Sequence, residues 1–257
     1  MISSYFQGGL GNQMFQIAAA LSLAADNDDT TVFNFAHHDL PNQGRKSHNY
    51  LKSILRNVSF SPDYKITKVY REPHFHYQQI PYATDLCLVG YFQSEKYFNH
   101  NAELIKKVFS VDENSEKLIN NSYGEILSKS PVSVHIRRGD YLSSHGAHPI
   151  CTQEYYNKAF EAFPINTNYL FFSDDIPWCK ENFIGDNYYF AEDNEDVVDL
   201  HLMSRCRHNI IANSSFGWWA AWLNNHNDKK VIAPENWFGN NMNHNIKDLR
   251  PQHWELI

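Results

Sequence analysis

Two adjacent arginines at the end of a strand-like run give the sequence its clearest chemistry. Residues 135–141 read HIRRGDY, and Arg137 and Arg138 follow the β-rich run 132–136. Two guanidinium groups at the end of a buried strand need anionic partners. One interpretation pairs one arginine with Asp140 and leaves the other in solvent. The second is a phosphate site, because the planar donors of arginine suit a phosphate. The spacing leaves both interpretations open.

A second candidate is an anion site at the start of a helix. Residues 213–219 read NSSFGWW and join the strand-like run 209–212 to a helical pattern over 215–225. Hydroxyl side chains at Ser214 and Ser215 can cap the N–H groups that begin this helix. The same N–H groups, together with the helix dipole, can hold an anion. Capping alone is the commoner outcome, so the pattern by itself does not establish a site.

A glycine-rich turn near the start of the chain could approach a ligand with its backbone. Residues 8–13 read GGLGNQ, between a predicted strand over 2–6 and a predicted helix over 14–25. Glycines in such a turn let the backbone come close to a ligand. The pattern matches neither G-x-G-x-x-G nor the nucleotide-binding loop that contains G-K-S/T. A tight turn explains it about equally well.

Acidic side chains fall at two positions where they need partners. Asp199 lies inside the helical pattern 195–206, among apolar neighbours. A carboxylate in such surroundings requires a hydrogen-bond partner. Asp174 and Asp175 follow the predicted strand 169–172. They either cap the next helix or line a site at the end of that strand.

The elements that must position these groups alternate between strands and helices. From residue 131 onward the sequence predicts strands over 132–136, 169–172, 188–191, 209–212 and 231–233, and helices over 153–163, 177–183, 195–206 and 215–225. Such alternation is typical of a parallel sheet with helices on both faces. These sheets bind ligands outside the carboxyl ends of their strands, which is where the arginines and serines fall.

The first half of the chain begins with the same alternation. The sequence predicts strands over 2–6, 30–35 and 86–91, helices over 14–25, 101–108 and 113–128, and a hinge at 129–131. We therefore expect an α/β protein with two Rossmann-like lobes that face each other across a cleft. Their expected bounds are 1–129 for the first lobe and 130–257 for the second.

Composition excludes several classes of protein. The chain has 257 residues, of which 42% are hydrophobic, 15% aromatic and 20% charged. This composition is typical of a globular protein and excludes a disordered chain or a bundle of membrane helices. The 22 basic and 29 acidic residues give a formal net charge of −7, which does not favour nucleic-acid binding. A bound anion must therefore be held by a local cationic pocket.

The sequence also bears on compartment and metal content. The first basic residue is Arg45, so no basic segment precedes an apolar stretch as it does in a signal peptide. The four cysteines are scattered without a C-x-x-C pair, which favours reduced thiols in a cytoplasmic protein. The 14 histidines form no H-E-x-x-H motif and no Cys/His quartet, so we expect no bound metal.

Five motifs together resemble one enzyme family. They read GGLGNQMFQ at 8–16, GYFQSEKYF at 90–98, HIRRGDY at 135–141, FSDD at 172–175 and SSFGWW at 214–219. In this order they closely resemble the α-1,2-fucosyltransferases of glycosyltransferase family 11, in particular the bacterial members. The resemblance implies a GT-B fold and GDP-β-L-fucose as the donor co-substrate. It also implies metal-independent, inverting transfer of fucose to the 2-hydroxyl of a galactose-terminated oligosaccharide.

The resemblance assigns roles around the arginine motif. It places Arg137 on the diphosphate of the donor, Arg138 in support of that loop, and His135 against the nucleoside. For the general base it leaves alternatives, because related α-1,6 enzymes use a glutamate at the position of His145. A histidine can act as a base near neutral pH, and Asp140 or a carboxylate elsewhere in the cleft could do the same.

Further roles follow from the resemblance to α-1,6 and protein O-fucosyltransferases. It places Ser214, Ser215 and Phe216 against the phosphates and Asp199 on the edge of the guanine. The glycine-rich loop, with Gly9, Gly11 and Asn12, resembles the element of the first lobe that closes over the pyrophosphate, so these three residues are expected to bind the donor. The resemblance implies that the first lobe, 1–129, lies on the acceptor side and that the second, 130–257, binds GDP-fucose.

Two alternatives remain to the expected fucosyl transfer. One is a GDP-sugar-binding or glycan-binding protein without turnover, and the other is the same fold with another donor such as GDP-mannose. The expected partners are GDP-fucose and the oligosaccharide acceptor, with no nucleic acid. We also expect a cytoplasmic protein, associated with the inner face of the membrane where a lipid-linked glycan is its acceptor.

Overall fold

Contacts within the chain separate it into two units. The computed structural model describes residues 1–34, 38–39, 47–64, 66–144 and 146–257. Unit 1 comprises Met1–Asp112 with His244–Pro251, and unit 2 comprises Glu113–Asn243 with Gln252–Ile257. The expected boundary at 129/130 differs from this division in two places. Residues 113–129 group with unit 2, and residues 244–251 group with unit 1.

Unit 1 is built on a parallel sheet with the strand order β2-β1-β4-β3. Its strands are β1 (Ile2–Gln7), β2 (His38–Asp39), β3 (Lys68–Arg71) and β4 (Leu86–Val89). Its helices are α1 (Leu10–Ala25) and α2 (Ala102–Val108), with short 3₁₀ turns at Ser47–Tyr50, Glu95–Tyr97 and Asn99–Asn101. The apolar residues Ile2, Phe6 and Leu88 are fully buried, so the central strands form the core of this unit.

The first helix begins four residues earlier than the sequence predicts. The carbonyl of Gly9 accepts hydrogen bonds from the N–H groups of Asn12 and Gln13, at 3.0 and 3.1 Å. Gly9 is therefore the N-cap of α1, and Gly11 lies within its first turn. The glycine-rich segment is thus mostly helix rather than a separate loop, because glycine is permitted in the first turn where packing holds it.

The strands of unit 1 differ from the sequence prediction. Residues 30–35 do not form a continuous strand within the described part of the chain, where Thr31 and Phe33 make only isolated parallel bridges. β3 was not predicted, because most of its side chains are exposed and an edge strand of four residues carries little hydrophobic pattern.

A segment close to the end of the chain completes unit 1. Asp248 accepts a hydrogen bond from the N–H of Tyr77 at 3.1 Å and forms an ion pair with Lys96. The ring of His244 stacks on Phe75, with their centroids 4.9 Å apart. These contacts explain why residues 244–251 belong to the first unit although they follow nearly all of the second.

Unit 2 contains a six-stranded parallel sheet with the order β10-β9-β8-β5-β6-β7. Its strands are β5 (Val132–Ile136), β6 (Tyr169–Ser173), β7 (Tyr188–Phe190), β8 (His208–Ile210), β9 (Val231–Ala233) and β10 (Glu255–Leu256). Its helices are α3 (Glu113–Ser128), α4 (Gln153–Phe160), α5 (Ile176–Asn182), α6 (Asp196–Arg205) and α7 (Ser215–Leu223), and Asp140–Ser143 forms a 3₁₀ turn. The predicted alternation after residue 131 is confirmed.

The core of unit 2 lies between the sheet and its helices. It includes all of the inward side chains of β5 together with Tyr156, Phe171 and Phe183. Helix α3 joins this unit because Arg205 of α6 forms an ion pair with Glu116 and donates to Asn120 at 3.0 Å. The expectation of an α/β protein with parallel sheets is therefore confirmed in both units.

The four cysteines are free thiols, as the sequence predicts. Within the described ranges, no helix has both the length and the apolar composition needed to cross a membrane.

Candidate active site

The arginine motif lies at the carboxyl edge of the unit 2 sheet. Strand β5 lies next to β8, and the chain continues from β5 to β6 on one side and from β8 to β9 on the other, so the strand order reverses between β5 and β8. Parallel α/β sheets bind ligands outside the strand ends at such a position. Ile136 at the end of β5 is level with Ser173 at the end of β6, which brings the loops after these two strands together.

Arg137 makes ion pairs with two carboxylates from different loops. One terminal nitrogen lies 2.7 Å from Oδ1 of Asp140, and the other lies 3.0 Å from Oδ2 of Asp174. The guanidinium also lies 5.6 Å from the centre of the Tyr141 ring. The side chain nevertheless remains 35% exposed. The two ion pairs thus fix the orientation of a guanidinium that still has access to solvent.

Arg138 is more enclosed and has different partners. Its Nε donates to Oδ2 of Asp175 at 3.0 Å, and its guanidinium lies 3.8 Å from the centre of the Trp178 ring. Asp175 is also the N-cap of α5, where it accepts from the N–H of Trp178. This side chain is only 16% exposed, and its contacts connect the loop after β5 to the start of α5.

Asp174 connects the two arginine positions, whereas its place in the sequence predicts only a cap for the next helix or a residue that lines a site. Its Oδ1 accepts from the backbone N–H of Arg138 at 2.9 Å, while Oδ2 pairs with Arg137. Gly139 makes room for this carboxylate, since a Cβ there would lie 2.4 Å from Oδ2. The glycine within HIRRGDY is the sequence feature that could have indicated this close approach.

His135 is buried beneath the start of α7. It is 5% exposed, and its Nδ1 has no hydrogen-bond partner among the described residues. A Cβ at Gly217 would lie 2.6 Å from that nitrogen, and the ring of Phe216 lies 5.8 Å from the imidazole. Burial, with a contribution from nearby Arg137, lowers the pKa of His135 to about 4. The imidazole is therefore neutral at neutral pH.

The serine motif begins α7 as the sequence predicts. Ser214 is the N-cap, and its hydroxyl accepts from the N–H of Phe216 at 3.3 Å. Ser215 is the first helical residue. The hydroxyl of Tyr141 donates to the carbonyl of Asn213 at 2.9 Å, so the arginine loop is tied directly to the segment that precedes this helix.

Asp199 has the partner that its apolar surroundings require. It lies in the first turn of α6, and Nδ2 of Asn194 donates to its Oδ1 at 2.9 Å. The same amide donates to the hydroxyl of Tyr123 at 2.7 Å. Burial raises the pKa of Asp199 to about 6. This carboxylate thus accepts a hydrogen bond from the segment before α6, and Asn194 connects it indirectly to α3.

Of the two candidate bases, only Asp140 lies among the described residues. His145 lies outside the described residues, so its position has no structural description here. Asp140 is 57% exposed in the loop that follows β5. Among the residues that the structure describes, no three histidine, cysteine or acidic side chains form a group that could hold a metal ion.

The glycine-rich segment forms a second candidate region, in unit 1. Gly8 has φ +75, and a Cβ there would lie 2.1 Å from Nδ2 of Asn12. Gly9 caps α1 and Gly11 is buried in its first turn. Oδ1 of Asn12 accepts a hydrogen bond of 2.7 Å from Nε2 of Gln93. Gln93 was not among the predicted site residues, although it belongs to the motif at 90–98.

Comparisons with known proteins agree over the length of the chain. The sequence matches the family described as "Glycosyl transferase family 11" over residues 1–257. It is 30% identical to the O-antigen biosynthesis glycosyltransferase WbnK of Escherichia coli, covering 93% of this chain and 95% of the relative. It is also 30% identical to an α-1,2-colitosyltransferase of Escherichia coli, covering 97% of this chain and 96% of the relative.

More distant relatives and solved structures extend these findings. The chain is 27% identical to the human galactoside α-(1,2)-fucosyltransferase 1, covering 85% of this chain and 64% of the human protein. The α-1,6-fucosyltransferase NodZ, co-crystallized with GDP, has a TM-score of 0.56 at 15% identity, covering 85% of this chain and 91% of NodZ. The fucosyltransferase NodZ from Bradyrhizobium has a TM-score of 0.57 at 14% identity, covering 85% of this chain and 92% of NodZ. The structural likeness shows the fold, an α/β fold of the GT-B type.

Proposed function

Because the chain belongs to glycosyl transferase family 11, we propose that it is an inverting α-1,2-fucosyltransferase. In this proposal it transfers L-fucose from GDP-β-L-fucose to the 2-hydroxyl of a terminal galactoside. The main observation that supports this proposal is the guanidinium of Arg137, which two ion pairs orient and which remains partly exposed at the carboxyl edge of the unit 2 sheet. Relatives named as α-1,2 transferases, among them the human galactoside enzyme, support the linkage.

A second donor sugar has support from one relative. The chain is as similar to the α-1,2-colitosyltransferase as to WbnK. Transfer of colitose with the same linkage is therefore the alternative to transfer of fucose. The two alternatives differ in the sugar that the site accepts and share the nucleotide-side chemistry that follows.

Arg137 acts on the leaving group in the proposed mechanism. As the bond from the fucosyl carbon to the diphosphate breaks, the carbon gains oxocarbenium character and the departing GDP gains negative charge. A guanidinium already held by Asp140 and Asp174 donates to that diphosphate without reorganisation. Preoriented donors stabilise the transition state more than the ground state, so Arg137 accelerates the transfer and does more than bind the donor.

Other residues of unit 2 hold the nucleotide in this proposal. The N–H groups at the start of α7, next to Ser214 and Ser215, face the phosphates. Arg138 keeps the loop in place through Asp175 and Trp178. Buried, neutral His135 contacts the nucleoside beside Phe216. Asp199 accepts from the guanine edge, with Asn194 fixing the plane of its carboxylate.

The attacking galactose hydroxyl needs a base, for which Asp140 and His145 remain the two hypotheses. Asp140 is exposed enough to accept a proton, and its ion pair with Arg137 also fits a role in bracing the loop. The variants Asp140→Asn and His145→Gln separate the two. The base variant loses kcat and the corresponding limb of the pH–rate profile, whereas a variant at a bracing position lowers kcat and kcat/KM together and keeps the shape of the profile.

We propose a cytoplasmic location, with a galactose-terminated acceptor that is carried on a lipid at the inner membrane face. The O-antigen relative supports a glycan acceptor of this kind. The glycine-rich segment of unit 1, with Gly9, Gly11 and Asn12, is proposed to contact the pyrophosphate of the donor.

A panel of donors against acceptors tests the proposal. Purified protein is mixed with GDP-fucose, GDP-mannose or a colitose donor, each with and without lactose, and released nucleotide and glycan product are measured. We expect acceptor-dependent release of GDP from GDP-fucose and an α-1,2-linked product. Product from the colitose donor alone would establish the second candidate. Tight GDP binding with no product from any donor would instead indicate a binding protein without turnover.

A further inference from the structure

A partly buried carboxylate in unit 1, Glu72, has no part in the proposed mechanism. Glu72 directly follows β3, at the carboxyl end of its sheet. Its Oε2 accepts from the N–H of Tyr91 at 2.7 Å, and both of its oxygens lie 3.1 Å from the N–H of Phe92. Burial raises the pKa of Glu72, and these N–H donors oppose the rise. The carboxylate thus accepts hydrogen bonds from the backbone that follows β4.

The backbone after β4 is shaped to receive this carboxylate. A Cβ at Gly90 would lie 2.4 Å from the Cβ of Glu72 and 2.6 Å from its Oε2. Phe92 has φ 51, a left-handed conformation that is unfavourable for a large side chain. Its fully buried ring meets Tyr97 edge-on, with centroids 5.4 Å apart. The bonds from Glu72 and the packing of the ring together hold this strained turn.

The turn continues directly into Gln93, which reaches the glycine-rich segment. Nε2 of Gln93 donates to Oδ1 of Asn12 at 2.7 Å, and Gln93 is only 6% exposed. Because Oδ1 of Asn12 is engaged as an acceptor, its Nδ2 is presented as a donor on the side of Gly8. A continuous series of contacts therefore runs from Glu72 through residues 90–93 to the amide of Asn12.

We infer that Glu72 is a positioning residue that sets the orientation of the Asn12 amide through the turn at 90–93, and thereby the affinity for the donor. This inference rests on the proposed function, in which the glycine-rich segment contacts the donor. Replacement of the carboxylate by an amide leaves one oxygen as acceptor and turns an N–H₂ group toward the backbone donors. The turn then relaxes, and Gln93 no longer holds Asn12 in one orientation.

Kinetics of Glu72→Gln, Gln93→Ala and the double variant test the connection. We expect Glu72→Gln to raise the KM for GDP-fucose about 5- to 20-fold, with kcat within about twofold of the original. In the Gln93→Ala background the same change should add less than about twofold, because both act through Asn12. Glu103→Gln, an exposed carboxylate in α2 of the same unit, is the control and should change neither constant.

Hydrogen exchange gives a readout that does not depend on activity. In Glu72→Gln, amides of the peptide 8–14 should exchange faster, while peptides from β1 and β4 keep their protection. Independent, multiplicative effects on KM, or faster exchange throughout unit 1, would show that Glu72 only stabilises the fold and would overturn the inference. If Glu72→Gln does not fold, Glu72→Asp, which keeps the charge and shortens its reach, is measured against the same criteria.

Failure of the proposed function remains distinguishable from failure of this inference. Absence of transfer by the original protein with every donor would reject the function. The exchange of peptide 8–14 would then still show whether Glu72 governs the glycine-rich segment, and unchanged exchange there would reject the inference by itself.

Discussion

The carboxyl edges of the two sheets are constructed in different ways. In unit 2 the loops after β5 and β6 are held by charges, since two arginines pair with three aspartates. In unit 1 the corresponding loops are held by backbone shape, with Gly8 at φ +75 and an amide-to-amide bond between Gln93 and Asn12. Glu72, a carboxylate in this second region, accepts hydrogen bonds from backbone N–H groups.

This difference indicates that the two sheet edges have different roles in the proposed reaction. Charged, partly exposed side chains interact strongly with charge that develops during a reaction. Glycines and neutral amides define a shape and hold a ligand that is already present. We therefore expect substitutions at the unit 2 edge to lower kcat and kcat/KM together, and substitutions at the unit 1 edge to act mainly on KM.

The largest effect is expected at Arg137. In Arg137→Lys the positive charge remains but the planar pair of donors is lost. We expect kcat and kcat/KM for fucosyl transfer to fall together by at least about a hundredfold. The melting temperature should change little, because the side chain is partly exposed and outside the core. Steady-state kinetics and thermal unfolding check both expectations.

Arg207→Lys is the matched control for this variant. Arg207 is also in an ion pair, with Asp228, and is 36% exposed, but it precedes β8 and so lies at the amino edge of the same sheet. Its replacement should leave kcat nearly unchanged. A fully active Arg137→Lys protein, or one that is inactive only because it has unfolded, would remove Arg137 from the mechanism.

Asp199→Asn should separate binding from stability. An amide offers one acceptor to the two guanine donors, so GDP affinity should fall by about 1–3 kcal/mol, with less discrimination against UDP and ADP. The folded-state pKa of Asp199 is about 6, against an ordinary value of 3.8. Its contribution therefore favours the folded state below pH 4 and is lost as the pH rises through 6.

At pH 7.5 the buried charge is a cost that asparagine does not carry. We therefore expect Asp199→Asn to be more stable than the original by about 1–3 kcal/mol at pH 7.5, with the difference shrinking toward pH 4. Denaturant unfolding at both pH values and calorimetric titration with GDP provide the measurements. Unchanged affinity and selectivity for GDP would leave Asp199 as a residue of helix α6 without a nucleotide role.

Gly8→Ala examines the unit 1 edge. A side chain at φ +75 costs about 1–2 kcal/mol, and the new Cβ would displace the Asn12 amide. We expect a lower melting temperature and a donor KM raised about tenfold, with a smaller change in kcat. Gly124→Ala is the control, since no atom lies within 4 Å of a Cβ at that position of α3. A kcat loss as large as that of Arg137→Lys would contradict the division between the edges.

The smallest expected effect is that of a chelator. If Arg137 and the N–H groups at the start of α7 neutralise the leaving diphosphate, excess EDTA should leave the rate of transfer within about twofold. Loss of activity in EDTA that Mg²⁺ or Mn²⁺ restores would mean that the charged edge of unit 2 is completed by a cation.

Local patterns predicted much of unit 2. The alternation after residue 131 is regular because β5, β6 and β9 are buried along most or all of their length. In addition, α5 and α7 begin at residues whose side chains cap them, Asp175 and Ser214. The need of Asp199 for a partner followed from its apolar neighbours, and Asn194 meets it. That Asn194 is the partner depends on how the segment before α6 turns, which no spacing reveals.

The structure differs from the sequence predictions where packing or contacts between distant residues override the local pattern. The start of α1 was placed at residue 14 because glycines usually weaken a helix, whereas packing retains Gly11 within it. Helix α3 precedes the expected boundary at 129/130 but groups with unit 2, because its ion pair with Arg205 joins residues far apart in sequence. Asp174, Glu72 and Gln93 gain their importance from contacts between loops, which only the folded chain brings together.

The segment 244–251 determines the order in which the protein can be completed during synthesis. Asp248 ties down Tyr77 and Lys96, and His244 covers Phe75, yet the ribosome makes these two residues after nearly all of unit 2. Unit 1 therefore begins first but is completed only after residues 113–243 of unit 2 have been made, and the surface near Tyr77 stays uncovered until then. A nascent chain stalled before residue 244 should contain a unit 2 that lacks only residues 252–257 with edge strand β10, and an incomplete unit 1 that proteases cleave more readily.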